Sequence, residues 1–207
     1  MFNIGVLAAD EYVEIDRLLT NLIVECGIDP SQIVILFDSD KTTPIMYEIV
    51  EEHNIYNIYD NPLDGNFARQ RNHLHSLCTE DYILHIDADE TIPVKLIDIL
   101  RNLIDSDNSI DKLAIPRVNK LIQDDLNLCP EDIFGPNPPI DSDGKIGWPD
   151  YQWRLVRNCP QVIWGGVIHE QPSGNGMFLK ADESLAIQHI KNISKQLAQR
   201  DFYRTLK

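Results

Sequence analysis

The sequence predicts an α/β fold with a mostly parallel central sheet flanked by helices. Three observations carry that expectation. Short apolar runs alternate with amphipathic stretches through the first half of the chain. One run, Ile33-Val34-Ile35-Leu36-Phe37, is apolar throughout, as befits a strand buried on both faces. Two runs end abruptly in acidic clusters, Asp38-Ser39-Asp40 and Asp87-Ala88-Asp89-Glu90. Alternating strand and helix signals imply parallel pairing with helical crossovers. Open sheets of that kind bind ligands beyond the carboxyl ends of their strands, so both clusters are expected to face one cleft.

The elements follow in order. Residues 2–8 form the first strand. Asp10 is placed to cap a helix over 12–26, which sets Ile15, Leu18, Leu19, Leu22 and Ile23 on one face. After the Ile33 strand, Thr43-Pro44 opens a second helix with proline at its favoured first position. A weaker strand covers 54–59. Asp64-Gly65-Asn66 then turns into a helix over 67–77, and the strand ending at Asp87 precedes a helix over 94–104. Residues 124–149 are rich in Pro, Gly, Asn and Asp and read as a long functional loop, neither regular helix nor central strand. Residues 151–157 and 161–168 read as a strand pair joined by Asn158-Cys159-Pro160, and 194–206 as a closing helix.

The 207 residues, 43% hydrophobic and 25% charged, suit one globular domain. Eighteen basic against 33 acidic side chains give a net charge of −15, which argues against broad nucleic-acid binding. Cys26, Cys78, Cys129 and Cys159 form no Cys-x-x-Cys pair and fit reduced thiols in a cytoplasmic setting. The start Met1-Phe2-Asn3-Ile4 lacks a signal-peptide charge pattern. No stretch is apolar enough to be a transmembrane segment, which leaves room for peripheral membrane association only.

Asp87 and Asp89 carry the chemistry. Side chains two apart on an extended chain point to the same side, and a carboxylate pair there suits a hard divalent cation shared with a substrate diphosphate. The competing reading is that these acids cap the helix that follows. No Gly-x-x-x-x-Gly-Lys is present, which disfavours P-loop chemistry.

Three blocks together resemble family-2 glycosyltransferases of the GT-A fold. They are Phe67-Ala68-Arg69-Gln70-Arg71-Asn72, then Ile86-Asp87-Ala88-Asp89-Glu90, then Arg154-Leu155-Val156-Arg157 with Trp164-Gly165-Gly166-Val167-Ile168-His169-Glu170. The likeness is closest to small bacterial lipopolysaccharide-core glucosyltransferase-like proteins and covers nearly the whole chain. Two places depart from the family pattern: Asp10-Glu11 stands for Asn-Glu, and Asp38-Ser39-Asp40 for Asp-Asp-x-Ser.

The resemblance implies a single GT-A (Rossmann-like) domain over 1–207, with 1–110 as the nucleotide-sugar-binding half and 111–207 as a smaller acceptor-side half. It implies inverting, metal-dependent transfer from a nucleotide-diphosphate sugar, a UDP-sugar first among donors, to a hydroxyl of a saccharide or glycolipid acceptor. Asp89 with His189 would hold Mn²⁺ or Mg²⁺, His169 competing for the second place. Ala8, Glu11, Asp38, Asp40, Arg71, Asp87, Ala88 and Trp164 form the implied substrate-binding set. Asp38 and Asp40 suit a pyrimidine or ribose, and Arg71 suits the diphosphate or an acid near the donor sugar. Glu170 is the candidate base, with Asp150 in reserve. Trp148, Tyr151, Trp153 and Trp164 gather on the acceptor side, where rings serve sugar stacking or core packing. Other readings stay open: a nucleotide- or metal-binding module without turnover, another α/β enzyme using Asp87, or a phage glycosyltransferase acting on a modified nucleobase.

Overall fold

The computed structural model describes residues 1–106, 109–122, 129–134, 136–167, 169–194, 196–198 and 201. The strands are β1 (Phe2–Ala8), β2 (Ile33–Asp38), β3 (Ile58–Asn61), β4 (Tyr82–Asp87), β5 (Glu90–Thr91), β6 (Lys112–Ile122), β7 (Lys145–Arg157), β8 (Trp164–Gly165), β9 (Gln171–Pro172), β10 (Gly176–Phe178) and β11 (Ile187–Asn192). The α-helices are α1 (Tyr12–Thr20), α2 (Pro44–Glu52), α3 (Phe67–Leu77), α4 (Val94–Ser106) and the short α5 (Pro130–Phe134). Eight strands pair in the order β3-β2-β1-β4-β7-β6-β11-β5, and β10 also joins β6. β1 to β4 run parallel. β7 lies antiparallel between β4 and β6. The mostly parallel α/β sheet the sequence predicts is therefore the observed one.

Two apolar layers hold helices on the sheet. Ile4, Val6, Ile33, Ile35, Phe37, Leu84 and Ile86 pack on one face with Ile15, Leu18 and Leu19 of α1 and Leu96, Ile97 and Leu100 of α4. On the other face Val34, Leu36 and Ile83 meet Leu74 of α3. The period of two along β2 and β4 assigns alternate residues to each layer. Gly5 sets how closely α3 approaches: a Cβ there would lie 2.9 Å from Ile83 Cγ2 and 3.0 Å from Leu74 Cδ2.

Several sequence expectations shift. The first helix ends at Thr20 and continues as a π-helical turn over Asn21–Glu25. Within that turn the Asn21 side chain pairs with both backbone groups of Ile92, tying α1 to the chain beyond the acidic turn. The third strand comes later than expected, at Ile58–Asn61. Part of the expected loop is ordered: α5 forms within it, and β7 already begins at Lys145, pairing with Lys120 across a register shift. Among the described residues, 151–157 do not pair with 161–167, and 168 lies outside them. Leu155 instead sits between Leu84 and Leu113, burying it in the main core, while Trp164–Gly165 pairs with Gln171–Pro172. The expected closing helix over 194–206 falls largely outside the described residues.

Candidate active site

A cavity of about 670 Å³ opens at the carboxyl end of β4, walled by β6, β7, α3 and the segment around His169 and Glu170. Beneath it runs a chain of alternating charges. Glu170 accepts from Arg71 Nε at 2.6 Å. Arg71 Nη2 donates to Asp87 Oδ1 at 3.2 Å, and Arg154 Nη2 to Asp87 Oδ2 at 2.6 Å. Arg154 also reaches Glu90 Oε1 at 2.5 Å, which Arg117 Nη1 shares at 2.9 Å. Arg117 then ends on Asp150, with Nη2 at 2.7 Å and Nε at 2.9 Å from the same carboxylate oxygen. Four carboxylates and three guanidiniums thus alternate from Glu170 to Asp150. Burial would push the Asp87 carboxyl up, but Arg154 and Arg71 hold it well below the usual carboxylate range. Burial likewise disfavours the Arg154 charge, and Asp87 and Glu90 more than restore it. Such groups stay ionised in a low-dielectric site only because each has opposite charges beside it.

The turn after β4 is anchored from below. Glu90, fully buried, accepts from the Asp87 backbone N–H at 3.1 Å, and Arg17 of α1 donates to the Asp89 carbonyl at 3.1 Å. Arg71 is held as firmly. Asn66 caps α3 through the Arg69 N–H, and Asn72 pairs with both backbone groups of Trp164 at 2.9 Å, locking the helix to β8.

Asp89 and His189 meet across the cleft, with Nε2 and Oδ2 3.1 Å apart. The hydrogen-bond network fixes the histidine's tautomer. Asn119 Nδ2 donates to Asp150, so its Oδ1 is an acceptor and must take a proton from His189 Nδ1, 2.7 Å away. In the neutral ring the bare Nε2 then faces a carboxylate oxygen, two lone pairs toward each other. A positive charge is required between them, a proton or a metal ion. The separation matches neighbouring ligands of an octahedral ion with bonds of about 2.1 Å, which span about 3 Å. These residues therefore fit a divalent cation. Among the described residues no group of three or more His, Cys, Asp or Glu side chains gathers as a complete cage. Two protein ligands are what an ion shared with substrate phosphates needs. Both Asp87 oxygens are engaged by arginines, so Asp87 is not a ligand in this arrangement.

The candidate bases differ in access. Asp150 Oδ2 takes three donated hydrogen bonds and Oδ1 a fourth from Gln152. Burial raises its proton affinity, yet Arg117 and the amides of Asn119 and Gln152 outweigh this and lower it. Glu170 carries one bond, on Oε1, and no hydrogen bond from a described residue reaches Oε2. Glu170 is the better-placed proton acceptor of the two.

Other expected residues scatter. Glu11 and Ala88 line the cleft; burial, helped by Asp10 and Asp89, raises the Glu11 carboxyl above its ordinary value. Leu7 lines the cavity, whereas the buried Ala8 does not. Asp38 and Asp40 lie at the end of β2, with β1 between them and β4, and are absent from the cavity wall among the described residues. Asp38 is spent locally, accepting from the Leu63 N–H at 3.1 Å and the Asp40 N–H at 3.4 Å. Trp164 is 4% exposed and stands 4.9 Å from the Arg71 guanidinium, a placement that braces Arg71 rather than offering a ring for sugar stacking. His169 lines the same cavity, and the contact to Asp89 is that of His189. Sequence reasoning missed Arg117, Asn119, Arg154, His75 and His85 as site residues. For His85 a signal existed, since it lies two before Asp87 on one strand face.

No family model matches the sequence, and no curated protein matches it. Among solved structures the chain is similar to S. aureus TarS 1–349. The complex with UDP-GlcNAc aligns with a TM-score of 0.57 at 14% identity, covering 100% of this chain and 64% of that one. A second TarS 1–349 structure gives 0.53 at 15% identity, with coverage of 96% and 63%. The complex with UDP gives 0.52 at 16%, with coverage of 91% and 60%. This chain therefore spans less than two thirds of the length of those relatives. The likeness establishes that this chain shares its mixed α/β fold with TarS 1–349.

Proposed function

We propose that this chain is an inverting, metal-dependent glycosyltransferase of the family-2 type. It moves a sugar from a nucleotide diphosphate, a UDP-sugar first, to a hydroxyl of a saccharide or glycolipid acceptor. The observation that carries the reading is the His189–Asp89 contact: with its tautomer set by Asn119, His189 turns Nε2 to a carboxylate oxygen at a spacing that fits a divalent cation at the rim of an arginine-lined cleft. The TarS complex with UDP-GlcNAc supports the donor class.

Asp89 and His189 are the residues that would hold Mn²⁺ or Mg²⁺, which supplies neutralisation of the charge building on the leaving diphosphate. Arg71 offers a fork of donors to the same anion. Glu170 takes the acceptor hydroxyl proton on Oε2. The new bond forms from the acceptor oxygen to the anomeric carbon as the bond to the diphosphate oxygen breaks, and single displacement inverts that carbon.

Calorimetric titration with uridine, guanosine and thymidine diphosphates, each with and without Mn²⁺, tests this. The expected result is metal-dependent binding of one nucleotide, abolished in Asp89→Ala and His189→Ala. Glu170→Gln should keep donor binding and abolish transfer. Binding without turnover in the unaltered protein would favour the module without activity; no binding of any nucleotide would refute the donor site.

A further inference from the structure

Behind Arg71 lies a buried polar cluster that the reaction as described leaves unused. His85 is fully buried on β4, His75 is 8% exposed on α3, and Trp164 covers both. Trp164 Nε1 is 2.9 Å from His75 Nε2, and His85 Nε2 is 2.8 Å from that same nitrogen. An indole N–H only donates. His75 Nε2 is therefore a bare acceptor, and His85 must carry its proton on Nε2 to donate toward it. That leaves His85 Nδ1 unprotonated and turned toward Arg71 Nη1 at 3.5 Å.

The three nitrogens of Arg71 thus meet three partners: Nε meets Glu170, Nη2 meets Asp87, and Nη1 meets His85. Two of these are anions that offset the guanidinium charge. The third is a neutral acceptor. It holds the plane of the guanidinium without adding a third negative charge to the two already beside it. A carboxylate at that position would be a third anion and repel an incoming diphosphate, and an apolar side chain would leave one buried N–H without a partner. Burial, together with Arg71 and Arg154, keeps His85 neutral; burial and Arg71 lower His75 to about 4.

We propose that His85, fixed in one tautomer by His75 and Trp164, is a positioning residue that orients Arg71 for the diphosphate of the donor. This rests on the donor-site reading given above. The contact is long, so its role is directional.

The test compares uridine diphosphate with uridine monophosphate by calorimetry in the presence of Mn²⁺, in the unaltered protein, His85→Phe and His85→Asn. The diphosphate should bind His85→Phe about tenfold more weakly, the scale of one hydrogen bond to a charged group. Monophosphate affinity should stay within about twofold, the same constant applied to a small residual effect. His85→Asn, which restores an acceptor, should recover most of the diphosphate loss. Equal losses for both nucleotides would mark a merely structural role and overturn the proposal. If the unaltered protein binds neither nucleotide, the donor-site reading falls and this proposal with it. Should His85→Phe fail to fold, nitrogen chemical shifts of the unaltered protein decide. A proton on His85 Nε2 with a bare Nδ1 supports the assignment, and a proton on Nδ1 overturns it.

Discussion

Glu90→Gln removes one charge from the middle of the alternating chain and keeps the side-chain shape. Glu90 has no exposed surface, and its carboxylate receives Arg117, Arg154 and the Asp87 backbone N–H. Each guanidinium bond is of the charge-assisted kind, about 1.5–3 kcal/mol. Arg154 keeps Asp87 and Arg117 keeps Asp150, so neither cation is left wholly unpaired. The net loss expected is about 3–5 kcal/mol, the range for breaking a buried pair from one side. For a chain of this size that lowers the melting temperature by about 10 °C. Equilibrium urea unfolding should show a lower midpoint at unchanged slope. A loss under about 1 kcal/mol would refute the network as a source of stability. So would a vanishing coupling energy between Glu90→Gln and Arg154→Met in a double-mutant cycle.

Acidification should destabilise the fold through His75 before the arginine-held carboxylates Asp87 and Asp150 titrate. His75 is neutral when folded because burial and Arg71 lower it to about 4, while the unfolded chain binds its proton near 6.5. Its contribution is therefore complete above pH 6.5, shrinks as pH falls below that value, and stops changing near pH 4. At pH 5 the loss relative to pH 8 is about 2 kcal/mol, and His85 adds in the same direction. Unfolding midpoints flat from pH 8 to 5 would contradict this. Gly5→Ala should cost about 1–3 kcal/mol by overpacking against Ile83 and Leu74. The same shift of α3 should weaken diphosphate binding through Arg71. Melting curves and nucleotide titration of the one variant test both effects.

The first half of the chain was legible because its strands obey simple periods. β1 and α3 begin and end where the sequence places them, and β2 and β4 differ by little. The second half was harder. Gly147 and Pro149 hid the start of β7, and apolar composition marked 151–157 as a strand without naming its neighbours. Those are set by register, with Leu155 opposite both Leu84 and Leu113. In the site, Asp87, Asp89, Arg71, Glu170 and His189 converge around one cleft, as their residue types suggested. Arg117 and Asn119 stayed hidden because their partners, Glu90, Asp150 and His189, lie far off in sequence, and no local pattern encodes such a meeting. Asp38 stands apart from the cavity wall among the described residues, its Oδ1 accepting from the Asp40 and Leu63 N–H groups, and a strand-end acid looks the same whether it serves a loop or a ligand.

The alternation of signs between Glu170 and Asp150 also constrains how this protein can change over generations. Neutralising any interior member leaves a neighbour with half its counter-charge on a largely buried cavity floor. The cheap routes are paired exchanges that delete adjacent opposite charges together. Drift at Arg71, Asp87, Glu90, Arg117 and Arg154 is therefore expected to be correlated, while Asp150, at the end of the chain and bound to a single arginine, has more electrostatic freedom to vary alone.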